Sequence, residues 1–357
     1  MAKDGFVLPI LYLRQIADLV RELGADVGEW LARGGLSERR LEEPSIDLSL
    51  ETFRRLVVDA RAVTGEPALG LLIGRRLSVA THGVVGFAAM ASGSIRQAME
   101  LVERFVPLRT SVVAVRTEIH GDEFRVVFRE APGLGEARDS LVEAVMLAVK
   151  NIADHLASGD AGNTLVCFGF TEPAHADLAR ALFRCEVIYA RPWTGFSFPL
   201  AIADRPVRTH DAVAFEEATR ICRRELARLV ENETESVRVR RLLLERENHF
   251  PTLQVTARLL RTTPRTLHRR LVEEGTSYKE ILEEVRHGLA VEHLRAGRLT
   301  IKEIAFLLGY TDTANFRRAF KRWEGVPPSS LQRPGSTADP STDSPRGRSG
   351  PRRDGAG

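Results

Sequence analysis

The feature that most constrains this chain is a plan that its C-terminal third carries twice. From Thr252 to Glu274, Leu253, Ala257 and Leu260 fall at i, i+4 and i+7, on one face of a helix. A short "RTT" turn follows. Thr263 then caps a second helix with Pro264 at its first position, where a missing N–H costs nothing. Leu267 and Leu271 face back onto the first helix, and the small Ala257 lets the two helices cross closely. From Thr300 to Trp323 the plan recurs. "TIKE" reads as a capping box, with Thr300 and Glu303 three residues apart. Ile301, Ile304, Ala305 and Leu308 form the apolar face, Gly309-Tyr310 turns the chain, Asp312 caps, and Phe316 and Phe320 point inward. Between the two units, "SYKEILEEVRHGLAVEHLRAG" reads as one helix with Ile281, Val285, Leu289 and Leu294 on a common stripe.

The outward faces of the two second helices point to a polyanion. Arg265, His268 and Arg269 stand at i, i+3 and i+4, away from Leu267 and Leu271. Thr313, Ala314, Arg317, Arg318 and Lys321 lie off the Phe316/Phe320 face. Arginine can pair with guanine O6 and N7, and Ala314 is small enough to approach a thymine methyl group. The candidate base contacts are therefore Arg265, His268, Arg269, Thr313, Ala314, Arg317 and Arg318. Arg270, Lys321 and Arg322 are candidates for phosphate contacts, which set register without reading sequence. A helical spacer rising about 1.5 Å per residue holds the two units roughly one DNA turn apart. Any soluble amphipathic helix shows charge outward. The tandem arrangement, both units capped and both basic, is what favours double-stranded DNA as the partner.

Charge is distributed to match. The chain's formal net charge is only +3, but residues 236–333 hold 19 Lys+Arg against 11 Asp+Glu, while the first 235 residues are net −6. A basic back behind an acidic front assigns the polyanion contact to the back.

The front half changes period along its length. "LYLRQIADLVREL" places Leu13, Ile16, Ala17, Val20 and Leu23 near one helical face. "SLETFRRLVVDARAVTG" opens with Ser49 as N-cap and Thr52 three residues on, then buries Phe53, Leu56, Val57 and Ala60. "SIRQAMELVERF" repeats the helical pattern with Ile95, Met99, Val102 and Phe105. "TSVVAVRTEIHGDEFRVVFREAPG" predicts a hairpin turning near Gly121-Asp122. "DSLVEAVMLAVKNIADHLAS" predicts a long helix, with short strands at "TLVCFGF", "CEVIYARP" and "GFSFPLAI" and a helix at "HADLARALF". The expected fold class is an α+β N-terminal domain over residues 1–210, helices first and then an antiparallel sheet with a covering helix. A linker helix over 211–235 carries Ile221 and Leu226 among charges. An all-α domain of two helix-turn-helix units joined by a long helix spans 236–333. A tail over 334–357 is too polar to offset its ordering entropy and is expected to be disordered.

Other functions are poorly served. No run of about 18 apolar residues exists for a membrane span, and the opening "MAKDGFVLPILYLRQ" has too short an apolar stretch, with Asp4, for a signal peptide. Cys167, Cys185 and Cys222 are widely spaced and fit neither a disulfide framework nor a zinc site, which suits a reducing cytoplasm. GxSxG, P-loop, GxGxxG and HExxH contexts are missing, and Cys167 in "TLVCFGF" reads as a buried thiol and not as a methyl acceptor. No enzyme activity, cofactor or metal is expected.

"TPRTLHRRLVEEGTSYKEILEEVRHGLAVEHL" followed by "TIKEIAFLLGYTDTANFRRAFKRWEGVPPSSLQ" resembles the DNA-binding domain of the AraC/XylS family over about 85 residues. Ile304-Ala305, Leu308-Gly309-Tyr310, Phe316, Arg318, Phe320 to Trp323, Gly325 and Pro328 carry the resemblance. The chain departs from it at Arg261, where many members have Gly, so a non-Gly residue must take the angles of that turn. "RRLSVATHGVVGFAAMASGSIRQAMELVERF" resembles the arabinose-binding-type N-terminal domain of the OruR-like branch. The resemblance implies a transcription regulator that works with RNA polymerase, whose front half receives a small-molecule effector and is able to form a homodimer; activation and repression both stay open. It does not imply a sugar ligand, and no His-rich cupin pattern is present. Thr81 and His82 at the start of the Gly-rich "THGVVGFAAMAS", with Arg109, His120 and Tyr189, are the candidate pocket residues, Arg109 as a partner for a carboxylate. For Thr81 and His82 the competing reading is tight packing around small residues. For the whole front half it is a domain that only dimerises in a constitutive DNA-binding regulator.

Overall fold

The computed structural model describes residues 8–331 apart from 44–45, 47, 132, 158–163, 232–233, 245–249 and 298. The expected disordered tail, 334–357, lies outside the described residues. Helices α1 (Ile10–Glu22), α2 (Val27–Arg33), α3 (Leu50–Thr64), α4 (Leu69–Arg76), α5 (Gly83–Met90) and α6 (Ile95–Phe105) come first. Ser49 caps α3 by accepting from the Thr52 N–H at 3.1 Å, and Phe53, Leu56, Val57 and Ala60 are buried as their spacing requires. Ile95, Met99, Val102 and Phe105 are likewise buried on α6. On α1, Leu13, Ile16, Ala17 and Val20 are buried, but Leu23 is exposed because it lies past the last helical residue, where the chain turns away from the core.

Strands β1 (Val113–His120) and β2 (Glu123–Glu130) form the expected hairpin, in register from Val113 opposite Glu130 to His120 opposite Glu123. Gly121 supplies the positive φ of the turn, +62°. Helix α7 (Arg138–Leu156) follows, then β3 (Leu165–Cys167), α8 (Ala176–Phe183), β4 (Glu186–Ile188), β5 (Gly195–Pro199) and the short α9 (Leu200–Ala203). The sheet runs β1-β2-β5-β3-β4. It is mixed, not antiparallel throughout: β3 and β4 pair in parallel, because α8 lies between them and carries the chain back to the starting end. Helix α10 (Ala212–Glu231) packs on α5 and on the 3-10 turn Val106–Leu108. Its Ala218 and Cys222 join the first core, whereas Ile221 stays exposed.

A second, separate core lies in α11 (Glu235–Leu244), α12 (Leu253–Leu259), α13 (Pro264–Glu273), α14 (Tyr278–Ala296), α15 (Ile301–Leu307) and α16 (Thr313–Glu324). Two cores, α+β and then all-α, give the fold class that the sequence pattern calls for.

The first core is organised by α7, on which only Asp139 and His155 are exposed. Gly70 and Gly74, one turn apart on α4, let α4 lie directly on it. A Cβ on Gly70 would sit 2.2 Å from the Ser140 carbonyl oxygen, and one on Gly74 2.8 Å from that of Ala144. Gly70→Ala must push the two helices apart and is expected to destabilise the protein by about 1–3 kcal/mol. Urea denaturation checks this, and an unchanged midpoint would contradict the packing described.

Candidate nucleic-acid interface and apolar cavity

The second core exists to hold two capped helices. Thr263 accepts from the Thr266 N–H at 3.1 Å, with Pro264 opening α13. Asp312 accepts from the Asn315 N–H at 2.7 Å to start α16, and the capping box at Thr300 and Glu303 is formed at both of its hydrogen bonds. Ala257, Leu267 and Leu271 of the first unit and Ala305, Leu308, Phe316 and Phe320 of the second are buried, joined through Ile281, Val285, Leu289 and Leu294 of α14.

The turns of the two units close identically. Thr262 N–H donates to the Ala257 carbonyl and Tyr310 N–H to that of Ala305, each at 2.9 Å. Between them, Arg261 has φ +54° where Gly309 has φ +75°. The departure from glycine seen in the sequence is thus a residue held in the left-handed region, at a cost of about 1–2 kcal/mol.

Arg265, His268 and Arg269 on α13 and Ala314, Arg317 and Arg318 on α16 are all exposed, with Thr313 half-buried. Arg265, His268, Arg317 and Lys321 have no ion pair among the described residues, so the three cations and the His268 ring are free to meet another molecule. Arg318 donates to the Asn315 side-chain oxygen at 2.7 Å, and the Asn315 amide donates to Asp312. This chain along one turn aims the Arg318 guanidinium, and Asn315 is a member that sequence reading missed. Arg269 is paired only loosely, 3.5 Å from Glu273. The phosphate candidates differ among themselves. Lys321 is open, Arg322 donates to Glu283 at 3.0 Å, and Arg270 donates at 2.6 Å to the almost buried Glu235. Glu274 accepts the Glu235 and Ser236 N–H groups at 2.7 and 2.8 Å, so Arg270 belongs to the joint between α11 and α13.

A second feature lies in the first core: an apolar cavity between α1, α3, α4, α6 and α7. Its polar side chains are Tyr12, His82, Arg109, Thr110 and Ser140, and the rest of its lining is apolar. Three of the five form one group. The Tyr12 hydroxyl is 2.8 Å from His82 Nδ1 and accepts from Arg109 Nε at 3.3 Å. Arg109 Nη2 donates to the Thr81 carbonyl at 3.1 Å, and its guanidinium lies 5.4 Å from the centre of the Tyr12 ring. Burial, and after it the charge of Arg109, push the His82 imidazole down to about 4, so it is neutral near pH 7. Burial also raises the Tyr12 phenol. A phenol that accepts from Arg109 has its proton left for His82 Nδ1, which makes His82 Nε2 an N–H donor. That nitrogen is buried and has no partner among the described residues.

Of the five sequence-stated pocket candidates, the structure brings Thr81, His82 and Arg109 together. His120 lies exposed at the hairpin end of β1, and Tyr189 stacks on Phe168 at 5.4 Å, outside the cavity lining. Tight packing also operates in the Gly-rich segment, since a Cβ on Gly86 would sit 2.1 Å from the Val79 carbonyl. Tyr12, Thr110 and Ser140 went unread. Tyr12 shares the buried face of α1 with Ile16, and a polar tip on an apolar stripe was its only signal.

Residues 24–207 match the family model described as the arabinose-binding domain of AraC transcription regulators, and residues 256–334 match a helix-turn-helix domain. The chain is 34% identical over 325 residues to the ornithine utilization regulator of Pseudomonas aeruginosa, covering 90% of this chain and 95% of that one. It is 27% identical to an uncharacterized HTH-type transcriptional regulator of Mycobacterium tuberculosis, over 92% of this chain and 96% of the relative. It is 28% identical to the HTH-type transcriptional regulator VqsM of Pseudomonas aeruginosa, over 72% and 81%.

Two outcomes follow from this geometry. Arg261→Gly removes the left-handed strain, less the extra unfolded-state entropy of glycine, and is expected to stabilise the protein by roughly 0.5–1 kcal/mol in denaturant melts. A loss of stability would show that the turn is unstrained. The second outcome concerns pH. Unfolded His82 takes a proton near pH 6.5, whereas the folded imidazole takes one only near pH 4. Its contribution to stability is therefore complete above about 6.5 and is lost as pH falls towards 4. His82→Gln should flatten the loss of stability between pH 6.5 and 4. An identical pH profile in the variant would mean that His82 is not held neutral.

Proposed function

The chain belongs to the AraC family of transcription regulators, and from that premise we propose that it is an effector-controlled regulator that reads DNA with α13 and α16. In this reading residues 1–210 form the sensor and dimerisation domain, 211–235 the linker helix, and 236–333 the DNA-binding domain, followed by the tail at 334–357. Arg265, His268 and Arg269 enter one major groove, and Thr313, Ala314, Arg317 and Arg318 the next. Lys321 and Arg322 hold phosphates. Arg270 serves the α11–α13 joint first, because Glu235 already occupies its guanidinium. In this reading the protein works on bacterial DNA in the cytoplasm, as a homodimer and together with RNA polymerase.

The observation that carries the DNA reading is the pair of identically closed, capped helices, each with an exposed arginine, Arg265 on α13 and Arg317 on α16, that has no ion pair among the described residues. The cavity supports sensing over constitutive binding. A domain that only dimerises has no use for an apolar cavity lined by a buried, unpartnered imidazole nitrogen.

The test uses DNA fragments selected by the wild-type protein from a random pool. Arg265→Ala and Arg318→Ala should each weaken binding to those fragments by about 1–3 kcal/mol and relax preference at one position. Lys321→Ala should weaken selected and random DNA alike and lower the salt slope by about one. Asn315→Ala, which frees Arg318, should give a smaller loss at the same base position. Full affinity in both arginine variants would overturn the assignment of the two helices.

A further inference from the structure

The polar equipment of the cavity is unbalanced in one direction. Among the described residues no Asp or Glu lines it, and no carboxylate pairs with Arg109. The Arg109 guanidinium is half-buried, spends Nε on the Tyr12 hydroxyl and Nη2 on the Thr81 carbonyl, and keeps Nη1 without a partner among the described residues. Gly83, which begins α5, leaves space at that nitrogen, since even a Cβ there would come within 3.5 Å of it. His82 is 8% exposed, lines the same cavity and holds its Nε2 without a partner. Two hydrogen-bond donors, one of them on a full positive charge, thus belong to a site with no anion of its own. Leaving the buried His82 Nε2 unpaired in an apolar surrounding is costly.

The remainder of the lining tells what the rest of the occupant must be. Phe53 and Val57 of α3, Leu141 and Ala148 of α7 and Val102 of α6 offer no hydrogen bond from their side chains. A sugar carries hydroxyls on every side and would leave most of them unpaired against such walls. A diamino acid would bury an ammonium with no carboxylate to meet it. Both are disfavoured by the same desolvation argument.

We infer that the cavity takes a small monocarboxylate with an apolar body, its carboxylate on Arg109 Nη1 and His82 Nε2 and its body between α3, α6 and α7. This rests on the sensor reading above and names the chemical class of the effector. The site also has a route to the rest of the chain. Arg109 directly follows the 3-10 turn Val106–Leu108, on which α10 packs. A carboxylate that neutralises Arg109 therefore acts next to a turn that supports α10, the helix that precedes the DNA-binding half.

The experiment is calorimetric titration of the full chain with a series of probes: decanoate, phenylacetate, 1-decanol, L-ornithine and L-arabinose. At least one carboxylate is expected to bind, and 1-decanol about 10-fold or more weakly than decanoate, the factor that a charge-assisted hydrogen bond supplies. Arg109→Met should remove that advantage while leaving 1-decanol binding unchanged, which also shows that the variant has folded with its cavity intact. Arg109→Lys should recover part of it. Binding of decanoate and phenylacetate by neither wild-type protein nor variant, or equally by wild type and Arg109→Met, overturns the inference. So does tighter binding of ornithine or arabinose. The sensor reading fails differently: if decanoate binds through Arg109 yet leaves affinity for the selected DNA and transcription from it unchanged, the ligand class stands and the sensing role falls.

Discussion

Helix α7 is buried along nearly its whole length, and the first core is arranged by what its sides demand. A helix wrapped on all sides has no water for its polar side chains, so each needs an internal partner. Lys150 donates to Asp154 at 2.6 Å and to the Phe183 carbonyl at 3.3 Å, and Glu143 meets His175 at 2.8 Å. Burial raises the Glu143 carboxyl to about 7 despite that partner. Another side receives α4 through Gly70 and Gly74. A third, with Leu141, Ala144 and Ala148, is left facing the cavity. The space exists because helices held by glycine contacts and internal ion pairs do not collapse onto it.

The DNA-binding half solves a different problem with short helices. Units of 7 and 10 residues, then 7 and 12, are too short to be stable alone. Caps at Thr252, Thr263, Thr300 and Asp312 satisfy their first N–H groups, and one shared core through α14 supplies the rest. Arg286 reinforces the joint. Its guanidinium lies 5.4 Å from the Phe250 ring centre and 5.0 Å from that of Tyr310, tying residues beside the first unit to the turn of the second. Their relative placement is therefore built into the core, as reading two successive grooves requires.

How much of this was legible depended on how local the cause was. Caps, turn residues and apolar spacing act within a few residues, so Ser49, Thr263, Asp312, the hairpin at Gly121 and the inward Phe316 and Phe320 could be read directly. Arg261 was legible as an exception because its repeat partner, Gly309, shows what the turn needs. What depends on distant chain was not legible. The parallel pairing of β3 with β4 is set by where α8 packs. Arg270 looked like a free cation until Glu235, 35 residues away, was brought beside it. The cavity draws Tyr12, His82 and Arg109 from three separate elements, and nothing in their spacing marks Tyr12 as the hub. His120 and Tyr189 show the reverse, plausible residue types that the fold carries elsewhere.

The central claim is that one chain places two helices in successive major grooves. Hydroxyl-radical and methylation footprinting on a DNA fragment selected by the protein tests it most directly. The account predicts that one DNA-binding domain protects two guanine-containing major-groove patches on the same face of the duplex, about one helical turn apart. It also predicts that Arg265→Ala erases one patch and Arg318→Ala the other. A single patch per domain, or patches on opposite faces, would contradict it.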